Sequence, residues 1–309
     1  MTSKFEGRGQ PKAGYRKTRA WYERNGIPVP GSKDKGAVSA KVHIHTAKAK
    51  GVAFESDADI ETRLETRFGI ADELVNSMIR GQTPAVIISG PPGLGKSYGV
   101  EKKLHEWDRY QDHHTIIKGF VGLTGLYKAL YDYRKKKEII VFDDADSIFQ
   151  DLDAMNLLKG ACDSSDVRRL SYLKETKMVS ERDGKPIPRE FEFNGGIIFI
   201  TNEDFDAKIA KDHKLTPHFQ ALISRAHYVD LQMKNQRDYL VRMKQVVKKG
   251  MLRNRGMSNA QEAEIMKFVE DHKDNLRELS LRVVSKLSDL MVSSPNWKSI
   301  AANTMCKVA

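Results

Sequence analysis

Cysteine is scarce in this chain. Cys162 and Cys306 are the two cysteines among 309 residues, and they lie far apart in the sequence. They do not have the short spacing of paired zinc ligands. Two distant thiols also cannot form the network of bridges that stabilises small secreted domains. The sequence therefore argues against a disulfide framework and against a structural zinc site.

Long apolar runs are also missing. No window approaches the ~18 apolar residues that a membrane span needs. The first residues, MTSKFEGRGQ, lack the apolar core of a signal peptide. We therefore expect no membrane partner and a cytoplasmic location. With 309 residues, 40% of them hydrophobic, the chain can form one large globular domain or two ordinary ones.

Acidic residues are few near the N-terminus. Residues 1–53 hold 12 Lys and Arg against 3 Asp and Glu, so +9 of the net charge of +11 lies there. The segment is rich in Gly, Pro and Ser and lacks apolar periodicity, which predicts a flexible basic arm over residues 1–55. Two interpretations stay open: a solubilising tail, or an arm that binds nucleic acid with the help of Tyr15, Trp21 and Tyr22.

The rest of the chain shows regular patterns of strands and helices. Branched apolar runs such as PAVIISG, EIIVFDD and GGIIFITN suit buried parallel strands, and helical patterns separate them. This alternation predicts an α/β domain over residues 56–233, with a parallel sheet between helices. Four helical patterns then predict a small all-α domain over residues 234–309. Ser258 and Gln261 have the spacing of a capping box at the start of the second of these helices.

The stretch GPPGLGKS fits the phosphate-binding pattern G-x-x-x-x-G-K-[ST], between a predicted strand and a predicted helix. Glycines let backbone N–H groups surround phosphates at a helix N-terminus, where the helix dipole favours negative charge. Lys96 would reach the β- and γ-phosphates, and Ser97 would bind Mg²⁺. The predicted nucleotide-binding residues are Gly90, Pro91, Pro92, Gly93, Leu94, Gly95, Lys96 and Ser97. A glycine-rich turn without a ligand is the alternative.

Two acidic residues end the strand-like run IIVFDD. Asp143 would help to hold Mg²⁺, and Asp144 would orient the water that attacks the phosphate. Alternatively, both residues are helix-capping acids in front of ADSIF.

Together these motifs resemble those of AAA+ ATPases, and the resemblance extends from about Ile60 to the C-terminus. It implies a P-loop core followed by a helical lid, with ATP and Mg²⁺ as cofactors and ATP hydrolysis as the activity. Asn202 at the end of GIIFITN resembles sensor 1, Arg225 resembles the arginine finger, and Arg282 resembles sensor 2. Because an arginine finger acts on the neighbouring subunit's nucleotide, the resemblance also implies a ring, such as a homo-hexamer.

One position departs from the family pattern. Most AAA+ proteins have Glu where this chain has Asp144, and the shorter side chain sets the carboxylate about 1.5 Å further back. Slow or regulated hydrolysis is therefore expected, and a nucleotide-gated scaffold with weak turnover stays an alternative function.

The segment GFVG, residues 119–122, follows the second predicted strand. It resembles the pore loop with which AAA+ rings grip an extended polymer, and Phe120 and Val121 would be its contact residues. The alternative is a tight strand-to-helix turn that places Phe120 in the core.

A long segment precedes the strand-like run of Asn202. TKMV and REFEF alternate around a turn at Asp183 and Gly184, which predicts a β-hairpin. Lys177, Arg182 and Lys185 would lie near its end as candidates for binding nucleic acid. A basic surface hairpin without a partner is the alternative.

These patterns favour a ring ATPase that remodels or translocates a polymer. The basic arm and hairpin favour nucleic acid, whereas GFVG equally suits a protein unfoldase that grips polypeptide. The compact arrangement resembles phage or plasmid replication ATPases, which would place the protein in the host cytoplasm.

Overall fold

The computed structural model describes residues 55–174, 177–211 and 214–307. The predicted basic arm lies outside the described residues except for Glu55. Residues Phe54–Ala309 form one compact unit. The boundary between an α/β and a helical domain at residues 233 and 234 therefore remains a prediction.

A five-stranded parallel sheet forms the centre of this unit. Its strands are β1 (Ala85–Ser89), β2 (His114–Lys118), β3 (Ile139–Asp143), β6 (Gly196–Thr201) and β7 (His227–Asp230), and the short pair β4 (Arg169–Ser171) and β5 (Glu190–Glu192) stands apart from them. The order across the sheet is β2-β3-β6-β1-β7. Every residue of β1, β3 and β6 is buried, whereas the two outer strands are partly exposed. Continuous apolar strands therefore occupy the centre, as expected for a sheet with both faces covered.

Ten α-helices accompany these strands in the described part of the chain. They are α1 (Asp57–Ile79), α2 (Lys96–Trp107), α3 (Leu123–Asp132), α4 (Leu152–Ala161), α5 (Phe205–Ala210), α6 (Thr216–Ile223), α7 (Gln236–Lys248), α8 (Asn259–Asp271), α9 (Leu281–Ser293) and α10 (Trp297–Met305). Short 3₁₀ turns lie at Asp146–Phe149 and Arg253–Arg255. None of the described helices is long and apolar enough to cross a membrane.

Alternate strand residues point to two separate cores. On one face, Ile87, Phe142 and Phe199 pack with apolar residues of α3, α4 and α6. On the other face, Ile88 and Val141 pack with residues of α1 and α2. Because successive strand side chains point to opposite faces, each apolar run supplies both cores. The predicted fold class, a parallel sheet between helices, is confirmed.

The four C-terminal helices enclose a core of their own, which includes Leu252, Ile265, Val284 and Leu287. The predicted capping box at the start of α8 is present. Contacts between the helical part and the α/β part include a partly buried ion pair. Asp238 of α7 is fully buried and accepts hydrogen bonds at 3.0 Å from Arg63 of α1. The expected helical segment is thus present. Leu281, the first residue of α9, donates a backbone hydrogen bond to Gly93 in the loop that follows β1.

The predicted hairpin differs in its first arm. The paired strands are Arg169–Ser171 and Glu190–Glu192, so the strand within REFEF pairs with a segment that precedes TKMV. In the described part of TKMV, Val179 forms an isolated bridge with Pro186, and the Ile187 N–H donates to the Met178 carbonyl at 2.9 Å. The two prolines of PIPRE, Pro186 and Pro188, have no N–H to donate, which limits strand pairing beside the turn.

Candidate nucleotide-binding site

The phosphate-binding loop joins the end of β1 to the start of α2. Gly93 and Gly95 have φ values of +73° and +91°, in the left-handed region that favours glycine. A Cβ atom on Gly93 would lie 2.5 Å from Cβ of Ser280, which leads into α9. Glycine at position 93 therefore serves both the backbone conformation and the close approach of the C-terminal helices.

Lys96 is the centre of a polar network at this loop. Its Nζ donates to the carbonyl oxygens of Gly90 at 2.5 Å and Pro91 at 2.8 Å, and to Oδ1 of Asn202 at 3.0 Å. Burial lowers the pKa of the Lys96 ammonium to about 8, although the nearby carboxylates of Asp144 and Asp143 oppose this shift. The chain thus holds a buried cation where the P-loop pattern predicts one.

Ser97 and Asp143 lie side by side. The Ser97 hydroxyl donates to Oδ1 of Asp143 at 2.7 Å, and Asp143 is 4% exposed. A hydroxyl and a carboxylate are the oxygen donors that Mg²⁺ prefers, and Mg²⁺ commonly takes one or two protein groups plus substrate phosphates. The pair fits a magnesium ion. No cluster of three or more His, Cys, Asp or Glu side chains suited to a metal occurs among the described residues.

Asn202 connects Lys96 to Asp144. Its Nδ2 donates to Oδ1 of Asp144 at 2.8 Å, while its Oδ1 accepts from Lys96. The strand order explains this meeting, because β6 lies between β1 and β3. Asp144 itself has a left-handed backbone with φ +52°. The structure therefore brings together four of the predicted residues, Lys96, Asp143, Asp144 and Asn202, at one edge of the sheet.

Sequence reasoning missed Lys118, the last residue of β2. Its Nζ lies 3.3 Å from Oδ2 of Asp143 and 2.6 Å from Oε1 of Glu101. The hydrogen bond with Glu101 is the main reason that the pKa of Lys118 is raised. The contact follows from the strand register, because Lys118 is the direct partner of Asp143 in the neighbouring strand, and no local sequence pattern marks it.

The C-terminal helices contact the loop at several points. The Leu281 N–H donates to the Gly93 carbonyl at 2.8 Å. Arg242 of α7 is buried, stacks on the Phe68 ring at 3.4 Å and places Nε 3.4 Å from the Leu94 carbonyl. Burial lowers the pKa of Arg242 to about 10. No local sequence signal marks Arg242, because its role depends on how α7 packs against α1.

Arg282 and Arg225 occupy different parts of the structure. Arg282 is exposed in the first turn of α9, and its charge contributes to the lowered pKa of Lys96. Arg225 instead precedes β7, whereas the P-loop follows the opposite end of the parallel strand β1. Arg225 forms an ion pair with Asp163 at 3.1 Å and donates to the Ala221 carbonyl at 2.9 Å. The structure therefore brings Arg282, but not Arg225, close to the P-loop of the same chain.

The two residues of the proposed pore loop have opposite environments. Phe120 is 85% exposed, so its ring does not lie in the core. Val121 is 8% exposed and belongs to the core beside α3, with its N–H donating to the Ser147 hydroxyl at 3.2 Å. Of the two predicted contact residues, Phe120 has its side chain available at the surface of this subunit.

The three basic residues of the hairpin also differ. Arg182 donates to Glu138 at 2.8 Å and to backbone carbonyls of Asp132 and Asp112. These bonds hold the turn against the end of α3 and give Arg182 a structural role. Lys177 and Lys185 are exposed, and Lys185 lies 3.8 Å from Asp183.

The strand order and the network around Lys96 define an AAA+-type P-loop ATPase fold. Comparison with protein-family models gives no match. The chain is 34% identical over 250 residues to the "Uncharacterized 36.7 kDa protein in nrdC-mobD intergenic region" of Enterobacteria phage T4, which covers 80% of this chain and 76% of the phage protein. The chain belongs to the family of that phage T4 protein.

Solved structures with a similar fold come from distant proteins. The RuvB Holliday junction branch migration motor of Thermotoga maritima has 12% identity, a TM-score of 0.41, and coverage of 81% of this chain and 70% of RuvB. Domain III of the replication initiation protein DnaA from the same organism has 13% identity, a TM-score of 0.41, and coverage of 82% and 95%.

Proposed function

We propose that the protein binds ATP with Mg²⁺ and hydrolyses it. The network that joins Lys96, Asn202 and Asp144 beside the pair Ser97 and Asp143 is the observation that carries this proposal. A cation, a metal-binding pair and a carboxylate that can orient water lie within one hydrogen-bonded group. P-loop ATPases use these components for phosphoryl transfer to water.

Each residue has a distinct task in this proposal. Lys96 and the loop N–H groups bind the phosphates, and Ser97 and Asp143 hold Mg²⁺. When bound, the metal neutralises negative charge on the phosphates. Asp144 orients the attacking water, and Asn202 keeps the Asp144 carboxylate in position while it contacts Lys96. The alternative function, a nucleotide-gated scaffold with weak turnover, would apply if the short Asp144 side chain does not activate the water.

We further propose that the active form is a ring, such as a homo-hexamer. Arg225 lies away from the P-loop of its own chain, which supports a role at the nucleotide of a neighbour. Arg282 would act within its own subunit. A shared site predicts that two inactive variants, Lys96→Ala and Arg225→Ala, restore part of the activity when mixed.

The substrate we propose is an extended polymer, with nucleic acid favoured over polypeptide. The exposed Phe120 ring supports contact with either polymer. The +9 charge of residues 1–53 and the exposed Lys177 and Lys185 favour nucleic acid. Phage origin of the relative agrees with a task in the host cytoplasm.

Steady-state ATP hydrolysis tests these proposals in one series. We expect turnover at low salt that single-stranded or duplex DNA raises several-fold, and a weaker response in a chain without residues 1–53. Lys96→Ala should lack turnover, and mixing it with Arg225→Ala should restore part of it. Absence of hydrolysis would contradict the ATPase proposal. If DNA leaves the rate of ATP hydrolysis unchanged and an unfolded polypeptide raises it, the result would favour the protein unfoldase.

A further inference from the structure

Two buried polar atoms beside the P-loop have no hydrogen-bond partner. They are Oγ of Ser280, a residue with 0% exposure, and Oε1 of Glu278. Both converge on Gly93, because a Cβ built there would lie 3.0 Å from the Ser280 hydroxyl and 3.3 Å from the Glu278 oxygen. Buried polar atoms without partners are uncommon and costly, so a pair at one place calls for a physical reason.

Ser280 shows that local structure does not use its hydroxyl. It is the N-cap residue of α9, where a serine side chain ordinarily accepts a hydrogen bond from the second or third N–H of the helix. Here the side chain makes no capping bond. The hydroxyl instead faces the P-loop, while the next residue, Leu281, donates its N–H to the Gly93 carbonyl. The backbone bond fixes the place of Ser280 relative to the loop.

Glu278 adds a negative charge beside a loop that is built for phosphates. A carboxylate is disfavoured near a polyphosphate, because like charges repel strongly where water is excluded. An ionised carboxylate accepts hydrogen bonds but cannot donate them. Its partner must therefore be a hydrogen-bond donor, and in a nucleotide the donors are on the nucleoside, namely the ribose hydroxyls and the amino group of adenine.

We propose that Glu278 and Ser280 bind the nucleoside part of ATP through a hydrogen-bond donor of the ribose or the base. The proposal rests on the nucleotide binding proposed above and names the residues that distinguish a nucleotide from a bare polyphosphate. The phosphates lie on the loop at Lys96, and the nucleoside lies against the segment that leads into α9. Contacts from the segment before α9 then distinguish a nucleotide from a polyphosphate that carries no nucleoside.

Equilibrium binding of ADP and of inorganic pyrophosphate tests this inference without hydrolysis. We expect Glu278→Ala to weaken ADP binding about tenfold, as befits loss of a hydrogen bond to a charged group. Pyrophosphate binding should stay the same or tighten, because a negative charge has gone. Glu278→Gln keeps an acceptor oxygen and should bind ADP within about threefold of the original chain. Ser280→Ala should weaken ADP binding by a smaller factor.

A matched control and three analogues sharpen the test. Asp274 is exposed and lies shortly before Glu278 in the sequence. Asp274→Ala removes the same charge and should leave ADP binding unchanged. ADP analogues without the 2′-hydroxyl, the 3′-hydroxyl or the 6-amino group identify the donor. The analogue that lacks it should bind the original chain more weakly and should not respond to Glu278→Ala.

Several results would overturn the inference. Equal weakening of ADP and pyrophosphate by Glu278→Ala would mean that Glu278 acts through the shape of the loop. An unchanged ADP affinity, or the same response for all three analogues, would exclude the nucleoside contact. If the original chain binds neither ADP nor pyrophosphate, the proposed function fails instead, so the two failures are distinguishable.

Discussion

Asp144 combines a proposed chemical task with an unusual backbone. Its φ of +52° lies in the left-handed region, which Asp and Asn tolerate better than most residues because their short side chains bond locally. Glu lacks this advantage. The backbone therefore offers a physical reason for Asp at the position where the resemblance to AAA+ proteins implies Glu.

Asp144→Asn separates the two roles of this residue. The amide tolerates the left-handed backbone and can still accept from Asn202, so the free energy of unfolding should change by less than about 0.5 kcal/mol. It cannot act as a carboxylate, so ATP turnover should fall about 100-fold or more. Thermal unfolding and steady-state hydrolysis measure the two effects.

The companion variant Asp144→Glu introduces the longer acid that the resemblance to AAA+ proteins implies, in the same backbone. We expect Asp144→Glu to lower the free energy of unfolding by about 1 kcal/mol, since Glu is poorly suited to a left-handed conformation.

One result would contradict the role proposed for the Asp144 carboxylate. ATP turnover by Asp144→Asn within threefold of the original chain would show that another group orients the water.

The loop of residues 119–122 shows how one short element can serve the surface and the core at once. Phe120 is 85% exposed and the adjacent Val121 is 8% exposed. The hydrogen bond from the Val121 N–H to Ser147 ties the loop to the segment after β3, which also carries Asp144. Burial of one neighbour thus holds the other at the surface.

Alanine substitutions at the two positions should have opposite effects. Phe120→Ala should change the free energy of unfolding by less than about 0.5 kcal/mol and leave basal hydrolysis near normal, while stimulation by the polymer is lost. Val121→Ala should cost about 2 kcal/mol, because it leaves a cavity in the core. Denaturant unfolding and stimulated turnover distinguish them. Strong destabilisation by Phe120→Ala would contradict a surface position for the ring.

Elements that depend on local pattern were predicted well, and contacts between elements were not. The continuous apolar runs predict β1, β3 and β6 correctly, because a strand that is buried on both faces is apolar along its whole length. The bond from Lys118 to Asp143, the position of Arg242 at the P-loop and the anchoring of Arg182 by Glu138 join residues that are distant in sequence. No local periodicity records such pairs. The roles of Asn202, Arg225 and Arg282 remain predictions.

At the scale of the whole molecule, the α/β part and the C-terminal helices have cores of their own, which raises the question of whether the chain unfolds in one step. Cys162 is fully buried in the core beside α4, and Cys306 is buried in the core of the C-terminal helices. The helical core is the smaller, and small cores are stabilised less. The partly buried ion pair of Arg63 and Asp238 and the hydrogen bond from Leu281 to Gly93 join the two parts.

The two thiols can report on the two cores separately. Burial raises the pKa of the Cys162 thiol to about 12, and only the thiolate reacts readily with alkylating reagents. Alkylation of Cys162 at pH 8 should therefore require unfolding of the α/β part. We expect Cys306 to be labelled at a lower denaturant concentration than Cys162, because the helical part opens first. Peptide mapping by mass spectrometry after brief labelling measures each cysteine.

If the C-terminal helices and the P-loop bind nucleotide together, nucleotide should bring the denaturant concentrations at which Cys306 and Cys162 are labelled closer to each other. A ligand that needs both parts in place stabilises their contact by mass action, so saturating ADP should delay labelling of Cys306 more than labelling of Cys162. Glu278→Ala should reduce that protection in proportion to its lower affinity. Identical labelling midpoints without nucleotide would instead show that residues 54–309 unfold as one cooperative unit, and the boundary predicted near residue 234 would then carry no thermodynamic meaning.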